Sequence, residues 1–456
     1  MNHFSPGGNR PYSSDVVIKP EQKNLVACAL VNRHWSSQAI PIIWTIPQLT
    51  SLEMLEKFTM SCLCNYMEEC YGKRRSSLTR YVRELYVTYH FDTHDRLTVK
   101  EQWSGLECVR MVSKFLPELR NASVDLGEGC LGPLTLQSLL SWCPKINQLS
   151  NVIAGVETVL APMAVPGYFG NLKKLITLDL GGTKYGPMMK TETGSMFLKA
   201  VAHNVGVNLR GIDLSDSPLT SEILYELCGN CPNLQVIDIN SVVGLSPECL
   251  AMVPRMCPNL VAYIIFPNTG LTTEHIEMLF QSAPYLRMID IESDALDARR
   301  VFEAIKKYSP KLSTISLGSC KLQEERDIIE LIQERGPKLM DLQMGTQTMT
   351  EEIFVALGRY CPNLYSLELH ADFVPTGSIS YGSGISFMAS ACPDLRHLSV
   401  QDHEGNEDLF QHVTKGYRNC NFLNPVLDAT FLGYPRFDQP PVGLVGDESA
   451  DRMDLG

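Results

Sequence analysis

The most regular feature of the chain is a repeated order of apolar and polar positions in the frame L-x-x-L-x-L. Clear copies are CPNLQVIDI (231–239), CPNLVAYII (257–265) and CPNLYSLEL (361–369), and weaker copies extend upstream. Between Leu209 and Leu364, successive copies begin 25 to 27 residues apart, and this constant period marks an internal repeat. The leading apolar residues of the twelve copies are Val82, Leu119, Ile146, Leu175, Leu209, Leu234, Leu260, Leu286, Leu312, Leu339, Leu364 and Leu395.

Each copy predicts one strand followed by one helix. Apolar and polar residues alternate after the leading residue, which is the pattern of a short strand. Further on, apolar residues recur at i, i+3, i+4 and i+7, so they form one stripe on a helix. Hydroxyl residues precede four of these helices as predicted N-caps, namely Thr220, Ser246, Thr272 and Thr350. Such a unit has no core of its own, but stacked units bury one together.

The repeat resembles the cysteine-containing subclass of leucine-rich repeats, and the resemblance covers roughly residues 81–402. It implies an α/β fold, a leucine-rich-repeat solenoid with a curved parallel strand array inside and helices outside. We expect the leading residue and the residues three and five positions later to point into the core, because side chains alternate along a strand. The residues two, four and six positions after the leading residue would then face the open concave side.

The concave side is the predicted binding surface for a protein substrate. From Leu175 onward these positions carry acids and no Lys or Arg, interrupted by an apolar island. One interpretation is that exposed strand positions are simply polar. The other is a binding face for a partner with Lys or Arg residues, with an apolar centre and a charged rim. The candidate residues are Asp179, Asp213, Asp238, Ile264, Phe266, Met288, Asp290, Glu292, Asp341 and Glu368.

Composition narrows the possible functions. The net charge of −12 argues against a nucleic-acid backbone as partner, since such binding needs clustered cations. No apolar run is long enough to predict a membrane span. The start of the chain has no signal-peptide pattern, and fifteen cysteines then favour a reducing compartment, cytoplasm or nucleus. The Cys228-x-x-Cys231 pair belongs to a repeat helix, which favours packing over zinc. No catalytic or cofactor motif is found, so we expect a non-catalytic binding protein without metal or cofactor.

The segment NLVACALVNRHWSSQAIPIIW (24–44) resembles the second half of an F-box. The matching residues are Leu25, Cys28, Val31, Trp35, Ile40, Pro41 and Trp44. The helix that opens an F-box with L-P-x-E-[IL] has no counterpart in PYSSDVVIKPEQKN (11–24), so the first half is missing from this pattern. An F-box joined to such repeats is the arrangement of F-box/leucine-rich-repeat proteins, whose F-box docks on the Skp adaptor of a cullin ubiquitin ligase while the repeats hold the substrate.

Two functions therefore stay open. The resemblance implies a substrate-recognition subunit of an SCF-type cullin ubiquitin ligase, acting in ubiquitin-dependent proteasomal degradation. The alternative is a repeat scaffold for protein binding, in which the first segment is only a helical cap. The predicted divisions are a disordered arm (1–20), the partial F-box-like segment (21–46), a helical linker (47–80), the repeats (81–402), a C-terminal cap (403–436) and a disordered tail (437–456).

Overall fold

The structure of the chain is a computed structural model. It describes residues 27, 29–73, 77–88, 98–125, 133–150, 172–181, 192–265, 270–291, 296–317, 325–348, 350–373, 382–401 and 421–422. The predicted arm 1–20 and tail 437–456 lie outside these residues, and so does most of the predicted cap 403–436.

In this described part, the strands form one parallel sheet in which each strand pairs with the next along the chain. The strands are β1 Gln48–Leu49, β2 Glu84–Thr88, β3 Asn121–Asp125, β4 Gln148–Ser150, β5 Thr177–Asp179, β6 Gly211–Asp213, β7 Val236–Asp238, β8 Ala262–Ile265, β9 Met288–Ile291, β10 Thr314–Leu317, β11 Asp341–Thr348, β12 Ser366–Phe373, β13 His397–Gln401 and β14 Asn421–Phe422. Strands β2 to β13 follow the twelve leading residues, and β1 and β14 extend the sheet by one strand at each end. The predicted solenoid is confirmed.

Helices connect the strands and pack on one another in chain order, as a parallel sheet requires. They are α1 Arg33–Thr45, α2 Leu52–Cys70, α3 Val99–Ser113, α4 Pro133–Trp142, α5 Glu192–Asn204, α6 Ser221–Asn230, α7 Pro247–Met256, α8 Thr273–Ser282, α9 Ala298–Tyr308, α10 Glu325–Arg335, α11 Glu351–Tyr360 and α12 Gly382–Ala391. Three short 3₁₀ turns occupy Leu78–Tyr81, Leu172–Lys174 and Gly336–Lys338.

The repeats stack in register, so equivalent residues lie side by side. Ile289 of β9 pairs with Ile315 of β10, and Ile315 pairs with Leu342 of β11. Where the structure describes them, the leading residues and the apolar residues three and five positions later fill one continuous core between the sheet and the helices, as the alternation predicted. All four predicted N-cap residues precede helices, and Thr220 and Ser246 accept a hydrogen bond from the first turn.

The cysteine of the CP phrase contributes more than apolar volume. The thiol of Cys257 donates to the carbonyl oxygen of Cys231 at 3.5 Å, and that of Cys392 donates to the carbonyl oxygen of Cys361 at 3.2 Å. Burial raises the pKa of the Cys231 and Cys361 thiols to about 12, so they stay protonated. Each such bond joins one repeat to the next at the point where a helix ends.

Candidate binding surfaces

The C-terminal half of α1 is anchored to the solenoid. Trp44 packs against the main core, and its ring lies 5.8 Å from the ring of Phe58 on α2. Ala39 is buried. Pro41 lies inside the helix, and the Thr45 hydroxyl donates to the Pro41 carbonyl oxygen at 3.0 Å. The helix is therefore fixed at the start of the repeat array.

Other residues of α1, and the helical residues just before it, present apolar side chains to solvent. Asn32 caps α1, because its Oδ1 accepts a hydrogen bond from the Trp35 N–H at 3.0 Å. Trp35 is 51% exposed and Val31 is 66% exposed. Leu30 and Ile42, which the resemblance did not single out, are also exposed. We call Leu30, Val31, Trp35 and Ile42 the α1 apolar face. Several large apolar side chains exposed within one short segment are a usual mark of a binding surface.

The remaining F-box-like positions divide into two groups. Ile40, Pro41 and Trp44 are half-buried, while Leu25 and Cys28 lie outside the described residues. An apolar cleft lies between the C-terminal end of α1, strand β1 and helix α2. Its lining residues are Ile43, Trp44, Pro47, Leu49, Met54, Lys57 and Phe58.

The side chains on the concave side are less exposed than the sequence predicted. The side chains there do lie opposite the main core, but Asp213, Asp238, Ile264, Met288 and Asp290 are buried. The solvent-exposed fraction of Asp238 is only 3%, and that of Ile264 is only 2%. The expectation that these residues stand open to solvent was wrong. On a concave sheet, side chains of neighbouring strands crowd together, because the strands are only about 4.8 Å apart.

Three other candidates, Asp179, Asp341 and Glu368, are half-buried. Phe266 and Glu292 lie outside the described residues.

Several of these buried acids bond to the protein's own backbone. A carboxylate at the end of a strand accepts a hydrogen bond from the N–H two residues later, which turns the chain out of the sheet. Three successive repeats share this bond, from the Gly181 N–H to Asp179 Oδ1 (2.9 Å), from the Ser215 N–H to Asp213 Oδ1 (2.8 Å) and from the Asn240 N–H to Asp238 Oδ1 (2.9 Å). The acids therefore have a structural role, whatever else they bind.

Further along the sheet, polar side chains bond across strands instead. The Ser316 hydroxyl lies 2.6 Å from Asp290 Oδ1 and 3.1 Å from Gln343 Oε1. The pKa of Asp341 is raised to about 7, chiefly because burial desolvates its carboxyl group; a hydrogen bond with Ser366 opposes this rise, and the nearby carboxylates of Glu368 and Asp290 add to it. This carboxyl group gains a proton near neutral pH.

The predicted apolar island is present as a separate cluster. Ala262, Ile264 and Met288 pack together, with Val236 against them, on the side of the sheet opposite the main core. The island is thus real, but its side chains shield one another from solvent.

Within the described ranges, no group of three or more His, Cys, Asp or Glu side chains is placed to hold a metal ion. Cys228 and Cys231 are fully buried in the core, as the packing interpretation predicted. Over the same ranges, none of the helices combines the length and apolarity needed to cross a bilayer.

Comparison with known proteins finds only remote structural similarity. No protein-family model and no curated protein matches it. Among solved structures, a chain of the Rad7 and Elc1 complex in yeast is 14% identical, with a TM-score of 0.39, covering 90% of this chain and 96% of that one. The leucine-rich repeat-containing protein LegL7 from Legionella pneumophila is 11% identical, with a TM-score of 0.34, covering 59% and 91%. By its own strand order and repeat register, the chain is an α/β leucine-rich-repeat solenoid.

Proposed function

We propose that the chain is the substrate-recognition subunit of an SCF-type cullin ubiquitin ligase. In this proposal the α1 apolar face and the adjoining cleft dock on a Skp-family adaptor, which links the chain to a cullin. The solenoid holds a protein substrate for ubiquitin-dependent proteasomal degradation, in the cytoplasm or the nucleus. The chain itself carries out no catalysis and needs no cofactor.

The observation that carries the proposal is that α1 is anchored to the core through Trp44 while large apolar side chains on it and just before it stay exposed. A helix that served only to cap the first repeat would turn its large apolar side chains toward the core. Here Trp44 does so, while Val31 and Trp35, two residues of the F-box-like pattern, point to solvent. Exposed Trp and aliphatic side chains on a fixed helix suit docking into an apolar partner surface.

The substrate half of the proposal concerns the concave side. Asp179, Asp341 and Glu368 retain partial exposure there, and no Lys or Arg occupies the neighbouring strand positions. A substrate with Lys or Arg residues matches this charge. The buried acids would then support the surface rather than contact the substrate directly.

The experiment is capture of a purified Skp-family adaptor, with and without cullin, by the full chain. Trp35→Glu and Val31→Glu each place a charge in the proposed docking surface without disturbing the core. We expect each to lower adaptor capture by about tenfold or more, since an unpaired charge in an apolar interface is costly. Val243→Glu is the matched control, because Val243 is strongly exposed in a turn after β7, away from α1. It should capture the adaptor as well as the wild type does.

If the wild-type chain captures no adaptor, or if both α1 variants capture it normally, the ligase proposal is wrong. The chain would then be a protein-binding scaffold with a helical N-terminal cap. The contact between Trp44 and Phe58 favours this second function, because it is the contact that a cap requires.

A further inference from the structure

We infer that the chain has a separate docking surface for an acidic protein segment, on the rim where the strands of the last repeats begin. This surface goes beyond the proposed function, because it lies neither on α1 nor on the concave side. Its central residues are Tyr285, Lys311, Lys338, Met340, Tyr365 and Arg396, and we call them the basic rim.

The sequence register places charges of opposite sign on the strands and at their starts. The residue directly after the leading apolar residue is Arg in five of the twelve repeats and never Asp or Glu. Three positions later, within the strand, the residue is Asp or Glu in five repeats and never Lys or Arg. The five arginines are Arg83, Arg120, Arg210, Arg287 and Arg396. In a chain of net charge −12, this row of cations is a local exception.

The stacking of the repeats brings these rim positions side by side. The Tyr365 N–H donates to the Met340 carbonyl oxygen at 2.7 Å, and the Arg396 N–H donates to the Tyr365 carbonyl oxygen at 2.8 Å. Met340, Tyr365 and Arg396 therefore occupy adjacent strands, about 4.8 Å apart. Met340 and Tyr365 are about half exposed although both are large and apolar or aromatic.

A cleft opens between these side chains. Its walls are Pro337, Lys338, Met340, Asn363, Tyr365, Asp394 and Arg396. Lys338 and Arg396 are both among these walls, and Asp394, 4.0 Å from the Arg396 guanidinium, is the one carboxylate among them. The Lys338 ammonium also donates to the Pro310 carbonyl oxygen at 2.9 Å, which holds it at the rim.

The cationic surface continues to the preceding repeat. The Lys311 ammonium lies 4.7 Å from the centre of the exposed Tyr285 ring, a cation–π distance. Arg287, two residues after Tyr285, is half-buried. Together with Arg287, the basic rim thus presents four cations, two tyrosines and a methionine, and aromatic residues, Met and Arg are the types enriched at protein interfaces.

This chemistry fits a short acidic segment that carries an apolar side chain. Carboxylates of the segment would pair with Lys338 and Arg396, and the apolar side chain would lie between Met340 and Tyr365. A nucleic acid fits less well. Its long phosphate backbone would extend beyond the rim and be repelled by the rest of a chain of net charge −12, whereas a short peptide stays at the rim.

The test is binding of a fluorescently labelled, Glu-rich peptide with one central Phe to the full chain, followed by anisotropy. The rim variant Lys338→Glu with Arg396→Glu reverses two charges beside the cleft. Lys199→Glu with Arg299→Glu makes the same change of charge on the outer helices α5 and α9, and serves as the control. We expect the rim variant to bind at least about tenfold more weakly and the control to stay within about twofold of wild type. Affinity for the wild type should fall as salt is raised.

A second comparison tests the apolar part of the cleft. Tyr365→Ala should weaken the Phe-containing peptide several-fold but leave a peptide with Ala in place of Phe unchanged. Circular dichroism and thermal unfolding of every variant should match the wild type, because all of these side chains are exposed at least in part.

Four results would overturn the inference: no saturable binding by the wild type, equal binding by the rim variant, equal losses in the rim and control variants, or no coupling between Tyr365 and Phe. A short DNA or RNA that binds the rim more tightly than the peptide, and displaces it, would make nucleic acid the occupant and would also overturn it.

Discussion

Both faces of the sheet bury side chains, but they are built differently. On the helix side, Leu and Ile fill a core that runs through the repeats. On the concave side, Asp213, Asp238, Asp290 and Ser316 are buried as deeply as many core residues, beside a small apolar cluster. Burial of a polar group costs free energy unless it is hydrogen-bonded. The concave face meets this condition with bonds to backbone N–H groups and to neighbouring side chains.

The comparison teaches that alternation along a strand fixes which face a side chain occupies but not how exposed that face is. The core face gains its stability from apolar burial, which tolerates little loss of volume. On the concave face, the hydrogen bonds fix where the strands end and how the turns after them are formed. Substitutions on the two faces should therefore differ in both size and kind.

The largest expected difference is between two adjacent isoleucines of β8. Ile265 belongs to the main core, and Ile264 belongs to the small concave cluster. Ile265→Ala should lower the free energy of unfolding by about 3–4 kcal/mol and Ile264→Ala by about 2 kcal/mol. Both variants remove the same atoms, but side chains around the small concave cluster can close the gap more easily than the packed main core can. Urea unfolding followed by circular dichroism measures both. Equal costs, or a larger cost for Ile264→Ala, would contradict the distinction between the faces.

The next effect concerns pH. The Asp341 carboxyl group has a pKa of about 7 in the folded chain, above its ordinary value of 3.8. The folded state therefore binds this proton more tightly than the unfolded state does, and its contribution to stability is lost as pH rises from about 4 to 7. Asp341→Asn should flatten this part of the stability profile and make the chain roughly 2 kcal/mol more stable than wild type at pH 8. Urea unfolding at a series of pH values measures it.

A companion variant sharpens this result. Glu368→Gln removes a neighbouring charge that raises the pKa of Asp341. The decline in stability should then begin at the same pH as in wild type but finish at a lower pH. An unchanged profile in both variants would show that Asp341 does not cause the decline.

The smallest effect tests the carboxylates that bond to the backbone. Asp238→Ala removes the acceptor for the Asn240 N–H and should lower the free energy of unfolding by about 1–2 kcal/mol. Asp238→Asn keeps an oxygen at the same place and should cost less than half as much. Thermal unfolding of the two variants side by side measures the difference, and identical losses would mean that the hydrogen bond contributes nothing.

The repeat frame could be predicted because the same sequence pattern recurs in many copies along the chain. Leu234, Leu260 and Leu286 each begin the same pattern, so an irregular copy can still be aligned through its regular neighbours. The two extra strands, β1 and β14, were missed because Gln48–Leu49 and Asn421–Phe422 carry no such phrase. A short edge strand is defined by its neighbour and not by its own sequence.

The concave surface could be predicted only in part. Its residues were identified from alternation, but their burial follows from curvature and crowding, which no single strand encodes. One signal was present: Asp179-Leu-Gly181, Asp213-Leu-Ser215 and Asp238-Ile-Asn240 share an Asp two residues before a small or turn-forming residue. That pattern indicates a side chain that bonds to its own backbone. A second signal that the sequence analysis did not use was Arg in the position after the leading residue, which Arg396 contributes to the basic rim.

The most direct measurement for the central claim is hydrogen exchange of the full chain with and without a purified Skp-family adaptor. If α1 docks on the adaptor, amide protection should rise in residues 29–45 and along the cleft at Leu49 and Phe58, while strands β5 to β13 stay unchanged. A complex that leaves α1 unprotected, or no complex at all, would contradict the assignment of this helix as the adaptor-binding element.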